Sequence, residues 1–132
     1  HGEFMTSVEI FCPVKPSEDP ELVRSAILKI FPDAELEQDE SCFKGTATLD
    51  RFSKLIRSQK ILDATRSVLI RNVRGDRTRM DINKQVATVG KVSFADKHPV
   101  LGAIEVTVRD DDIHALIDRV SPVTVDGVEV IQ

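Results

Sequence analysis

The stretch RFSKLIRSQKILDATRSVLIRNVRGDRTRMDINKQVATVGK, from Arg51 to Lys91, decides how this chain is read. From Arg51 to Arg74 it contains neither glycine nor proline and is helical by composition. On a helical wheel Phe52, Leu55 and Ile56 share one face, whereas Ile61, Leu62, Val68, Leu69 and Val73 form a stripe rotated away from it. The pattern therefore predicts two helices with a break near Gln59 to Ile61. Gly75 and Asp76 supply a helix stop and turn. Beyond them Met80 and Ile82 alternate with Arg79 and Asp81, which predicts a strand from Thr78 to Ile82 with a polar outer face. Asn83 follows at once, a natural N-cap for a helix opening Lys84, Gln85, Val86 and Ala87.

Toward the N-terminus, Val8, Ile10 and Cys12 alternate with Glu9 and Phe11, the period of a strand from Thr6 to Val14. Ser17 or Asp19 can cap a helix that begins at Pro20 and Glu21 and carries Leu22, Val23, Ala26, Ile27 and Ile30 at helical spacing. Ala34 to Gln38 and Ser41 to Leu49 read as strands with one apolar face, which suits an antiparallel sheet covered on one side. Toward the C-terminus, Val92 to Phe94 reads as a short strand and Ile104 to Arg109 as a longer one. Asp110, Asp111 and Asp112 then precede Ile113, Leu116, Ile117 and Val120. Carboxylates at consecutive positions do not converge on a divalent cation without partners elsewhere, so the cluster reads as a helix N-terminus. Val123, Val125, Val128 and Val130 flank Asp126-Gly127, as in a terminal hairpin or an extended tail. The expected fold is α+β, an antiparallel or mixed sheet with helices packed mainly on one face.

A chain of 132 residues with 41% hydrophobic and 30% charged residues reads as one globular domain, over residues 5–132. Residues 1–4 read as a cloning remnant. Cys12 and Cys42 lie in apparent strands without His or Cys at metal-ligand spacing, which favours buried reduced thiols over a disulfide. No apolar run approaches a membrane span, and a cytoplasmic protein is expected. His98 and His114 sit in no nucleophile–base motif, and phosphate-binding loops and dinucleotide fingerprints are absent. The residues point away from an enzyme, and no cofactor or metal is expected.

What does stand out is charge. The stretch from Arg51 to Lys91 holds eleven cations against three acids, while the whole chain carries a net charge of −4. Such a split marks an anion-facing surface, with nucleic acid the leading candidate, unless solvated segments simply interleave in space. Lys54 and Arg57 fall opposite the first apolar face, and Lys60, Arg71 and Arg74 opposite the second. Arg66 falls on the shoulder of the second stripe, where it either pairs internally or lines a site. The N–H groups behind Asn83, with Lys84 alongside, make either a small anion site or a plain cap.

The run Gln59-Lys60-Ile61-Leu62-Asp63-Ala64-Thr65-Arg66, the unit Ile82-Asn83-Lys84-Gln85-Val86-Ala87 and the segment Pro122 to Gly127 together resemble an archaeal family of predicted RNA-binding proteins. The likeness extends over Thr6 to Val130 and departs from the family pattern at Arg119 and Val100. It implies a fold similar to that of the ribosomal protein that binds 5S ribosomal RNA, and a homodimer. On these grounds Lys54, Arg57, Lys60, Arg66, Arg71, Arg74, Asn83, Lys84 and Gln85 are the expected contacts to a structured RNA, met mainly at backbone phosphates. The competing expectation is a dimeric adaptor that binds an acidic protein partner through the same surface.

Overall fold

The computed structural model describes residues 6–95, 99–125 and 128–129. In chain order it consists of β1 (Ser7–Pro13), α1 (Pro20–Ile30), β2 (Glu35–Gln38), β3 (Cys42–Thr46), α2 (Asp50–Ser58), α3 (Leu62–Arg71), β4 (Arg77–Ile82), α4 (Lys84–Ala87), β5 (Ile104–Arg109), α5 (Ile113–Val120) and the short pair β6 (Thr124–Val125) and β7 (Val128–Glu129). The first five strands form one sheet in the order β2-β3-β1-β5-β4. Every neighbouring pair is antiparallel, which settles the choice between an antiparallel and a mixed sheet.

Side-chain alternation divides the sheet into two unlike faces. Val8, Ile10, Met80, Ile82, Ile104, Val106 and Val108 are buried on one. Against them pack Val23, Ile27 and Ile30 of α1, Phe52 and Ile56 of α2, Leu62 and Leu69 of α3, and Ile113, Leu116 and Ile117 of α5. Phe31 and Phe52 stack within this core, with ring centroids 6.1 Å apart and planes 10° from parallel. The opposite face carries Glu9, Phe11, Lys44, Thr46, Arg77 and Arg79, all exposed. Gly45 lets β2 lie close against β3, since a Cβ there would sit 2.0 Å from the Glu35 carbonyl oxygen.

The expected helix break falls between α2 and α3, and a specific cap produces it. Lys60 adopts φ +61°. Its N–H donates to the Arg57 carbonyl oxygen and the Ile61 N–H to that of Ile56, the paired bonds of a Schellman cap. That geometry satisfies the last carbonyls of α2 and turns the chain so that the second apolar stripe reaches the core. Asp112 caps α5 by accepting from the Ala115 N–H, so the acidic cluster begins a helix as expected. Asp110 is buried beside it. The Thr6 hydroxyl bonded to it, together with the Asp112 N–H and the nearby Arg119 guanidinium, holds its carboxyl below the usual carboxylate range against the opposing cost of desolvation.

Val92 to Phe94 is not a ladder strand. The Gln59 side chain donates to the Val92 carbonyl oxygen at 2.9 Å and accepts from the Val92 N–H at 2.7 Å, occupying the groups a neighbouring strand would use. Among the described residues, an isolated bridge between Ile82 and Phe94 joins this segment to the sheet. Near the C-terminus Val125 pairs with Val128 and Thr124 with Glu129, the register of a hairpin. Its turn at Asp126-Gly127, Val130, residues 1–4 and His98 lie outside the described residues.

Candidate nucleic-acid interface

The expected contacts separate into two groups, and burial and hydrogen bonding make the division. Lys84 belongs to the interior. Its side chain is only 6% exposed, and the Nζ donates to the Pro13 carbonyl oxygen, to that of Leu101 at 2.6 Å and to Glu18 Oε1 at 2.9 Å. The ammonium thus ties the end of β1, the turn before α1 and the loop before β5 to α4. A phosphate could reach it only by displacing those acceptors, and in this structure Lys84 stands as a buried structural cation. Asn83 is a helix cap, its side chain accepting from the Val86 N–H at 2.9 Å. With α4 only four residues long, the N–H groups behind Asn83 have no extended helix dipole to support an anion. Gln85 is exposed nearby.

Arg57 and Arg66 perform a second structural task. Arg57 donates to the Val120 and Arg119 carbonyl oxygens, each at 3.2 Å, and also meets Ser53 and Glu129. Arg66 donates to the Ser121 carbonyl oxygen at 3.1 Å and pairs with Asp118 at 2.7 Å. Both guanidiniums therefore converge on the C-terminal end of α5, where free carbonyls and the helix dipole favour positive charge. Internal pairing is the outcome for Arg66, through Asp118 of α5; its sequence neighbour Asp63 accepts from Thr124 instead.

The remaining candidates are Lys54, Lys60, Arg71 and Arg74, all exposed. Among the described residues the side chains of Lys54, Lys60 and Arg71 meet no carboxylate. Arg74 folds toward the Val73 and Arg71 carbonyl oxygens, at 2.7 and 3.3 Å, and keeps an exposed guanidinium. These cations run along α2 and α3 to the turn into β4. Two further arginines stand beside that turn, Arg77 from the basic stretch and Arg109 from outside it, neither of them among the expected contacts. Arg77 on β4 lies directly across from Arg109 on β5, a juxtaposition that only the strand register reveals.

Elsewhere the surface disfavours a polyanion. A concavity of about 610 Å³ on the open sheet face surrounds the half-exposed Phe11 with Glu9, Glu35, Glu37 and Glu105, against Lys44 alone. Nucleophilic chemistry finds no support at Cys12, whose thiol is fully buried and pushed up to about 12 by desolvation. Among the described residues no group of His, Cys, Asp and Glu is placed to hold a metal ion, and no helix is long and apolar enough to cross a membrane.

Comparison with known proteins adds an independent line. A family model described as RNA binding matches residues 7–109. A UPF0201 protein of Sulfurisphaera tokodaii is 37% identical over 134 residues, covering 94% of this chain and 92% of the relative. A UPF0200/UPF0201 protein of Archaeoglobus fulgidus is 40% identical over 124 residues; the match covers 91% of this chain but only 38% of that longer relative. In three dimensions the chain is similar to the crystal structure of the UPF0201 protein from Methanococcus jannaschii, with a TM-score of 0.87, 36% identity and coverage of 95% of this chain and 99% of that one. The chain belongs to the archaeal UPF0201 family and to the family whose model is described as RNA binding.

Proposed function

We propose that this protein is a noncatalytic RNA-binding protein that meets structured RNA mainly at backbone phosphates, through Lys54, Lys60, Arg71 and Arg74. The observation that carries the reading is a set of exposed cations along α2 and α3, three of them without a carboxylate partner among the described residues. Charges already satisfied by internal carboxylates have little to gain from a phosphate, whereas these do. Shape recognition suits the surface, because among the described residues no exposed Phe lies on α2 or α3 with the cations. Phe11, the one exposed Phe among the described residues, stands among carboxylates. The similarity in fold to the 5S-rRNA-binding ribosomal protein and a cytoplasmic location belong to the same proposal. So does a homodimer, supported by the exposed Val125 and Val128 of the terminal hairpin.

Filter binding with unfractionated cellular RNA at near-physiological salt tests the reading. A dissociation constant on the order of 10⁻⁶ M or weaker is expected, the range of phosphate-driven binding without base readout. Failure to retain RNA, with copurification of an acidic protein that Lys60→Glu and Arg71→Glu release, contradicts it and favours the adaptor.

A further inference from the structure

At the end of the sheet the turn Arg74-Gly75-Asp76-Arg77 closes a two-residue hairpin. The Arg74 N–H donates to the Arg77 carbonyl oxygen at 2.8 Å and the Arg77 N–H returns to Arg74 at 3.2 Å, with Gly75 at φ +65° in the first central position. Antiparallel partners project to the same side of a sheet. Arg74 opposite Arg77, and Arg77 opposite Arg109, therefore form one lateral row of three guanidinium-bearing positions on the open face. Adjacent members of such a row have Cβ atoms about 4.5–5.5 Å apart, a spacing at which like charges oppose each other.

Compensation within this row is thin. Asp76 lies 3.6 Å from Arg109 Nε with both side chains about half exposed, and it is the one carboxylate the described residues place against the row. One strand position along, Arg79 shows the contrast, since it is held by both Asp81 and Glu105 at 3.0 Å. Arg77 has no such partner among the described residues. Two planar donor forks at directly opposed positions of a strand pair suit an anion with several acceptor oxygens, to which each can present parallel N–H groups.

We infer that Arg77 and Arg109 clamp a single backbone phosphate of the RNA, with Arg74 at its rim, so that the bound strand passes from α3 around the end of β4 onto the open sheet face. This inference rests on the RNA-binding reading and extends its footprint. It also limits the path. The carboxylates around Phe11 begin on the next row of the same face, with Glu9 opposite Thr107, so the strand should touch only this basic end.

The test compares unmodified protein with Arg77→Ala, Arg109→Ala and the double variant by filter binding to one structured RNA over a range of salt. If both arginines hold one phosphate, the double variant flattens the plot of log affinity against log salt by roughly 0.7–0.9. Each single variant should remove most of that change. The melting temperature should be unchanged or raised, because a like-charge pair is removed. Unmodified protein that binds RNA while the double variant keeps the full slope overturns the clamp and leaves the helical footprint standing. Unmodified protein that binds no RNA overturns both. A parallel arm adds sodium tripolyphosphate. If it raises the melting temperature of the unmodified protein but not of the double variant, while both bind RNA alike, the site takes a free polyphosphate and the RNA assignment falls.

Discussion

Replacing Lys84 with alanine should destabilise the fold by about 3–5 kcal/mol, the cost of breaking a buried pair and leaving its partner uncompensated. Three acceptors lose their donor at once: Glu18, with its side chain 12% exposed, and the carbonyls of Pro13 and Leu101. For a domain of this size such a loss lowers the melting temperature by roughly 10–20 °C. Pairing Lys84→Met with Glu18→Leu should recover much of the deficit, because a well-packed apolar pair avoids the stranded charge. RNA affinity measured where the alanine variant remains folded should be unchanged. A variant that melts with the unmodified protein but binds RNA more weakly would return Lys84 to the phosphate footprint and contradict its structural assignment.

The second large effect is on binding. Changing Lys54, Lys60 and Arg71 together to glutamate should weaken RNA binding by roughly 100-fold or more, if each exposed contact contributes about 1 kcal/mol. The effect should be similar for unrelated RNA sequences, since phosphate contacts carry no sequence information. Stability should change little, because these side chains are exposed and their charges are not engaged by carboxylates among the described residues. Arg57 is excluded from this set. Glutamate there would strand the carbonyls at the end of α5 and confuse unfolding with loss of contact. Circular dichroism of the triple variant settles its fold, and unchanged affinity in a folded triple variant removes the helical footprint.

Much of the architecture was legible because local signals and core packing agree. The α2–α3 break followed from two apolar stripes that no straight helix could bury together, and α1 and α5 announced themselves by capping acids and apolar spacing. The segment Val92 to Phe94 misled because its composition is that of a strand while both backbone groups of Val92 are taken by the Gln59 side chain, a long-range contact without a local signal.

The site was less legible for a similar reason. Cations in one basic stretch look alike in sequence, yet Lys84 lies buried against Glu18, Arg57 and Arg66 serve the end of α5, and Lys60 faces solvent at a helix cap. Burial of a lysine depends on partners dozens of residues away, here Glu18, Pro13 and Leu101. Arg109 lay outside the basic stretch altogether. Only the β4–β5 register sets it beside Arg77.

The most direct test of an RNA-backbone interface is the salt dependence of RNA affinity in the unmodified protein. Four to five phosphate contacts predict a slope of log affinity against log salt of roughly −3 to −4.5. The chain's net charge of −4 keeps overall affinity modest by repelling the polyanion at longer range, without removing the slope set by local contacts. A slope in that range, reduced by the Lys54, Lys60 and Arg71 substitutions, is the predicted result. A flat salt dependence contradicts the account and leaves the basic surface to an acidic protein partner.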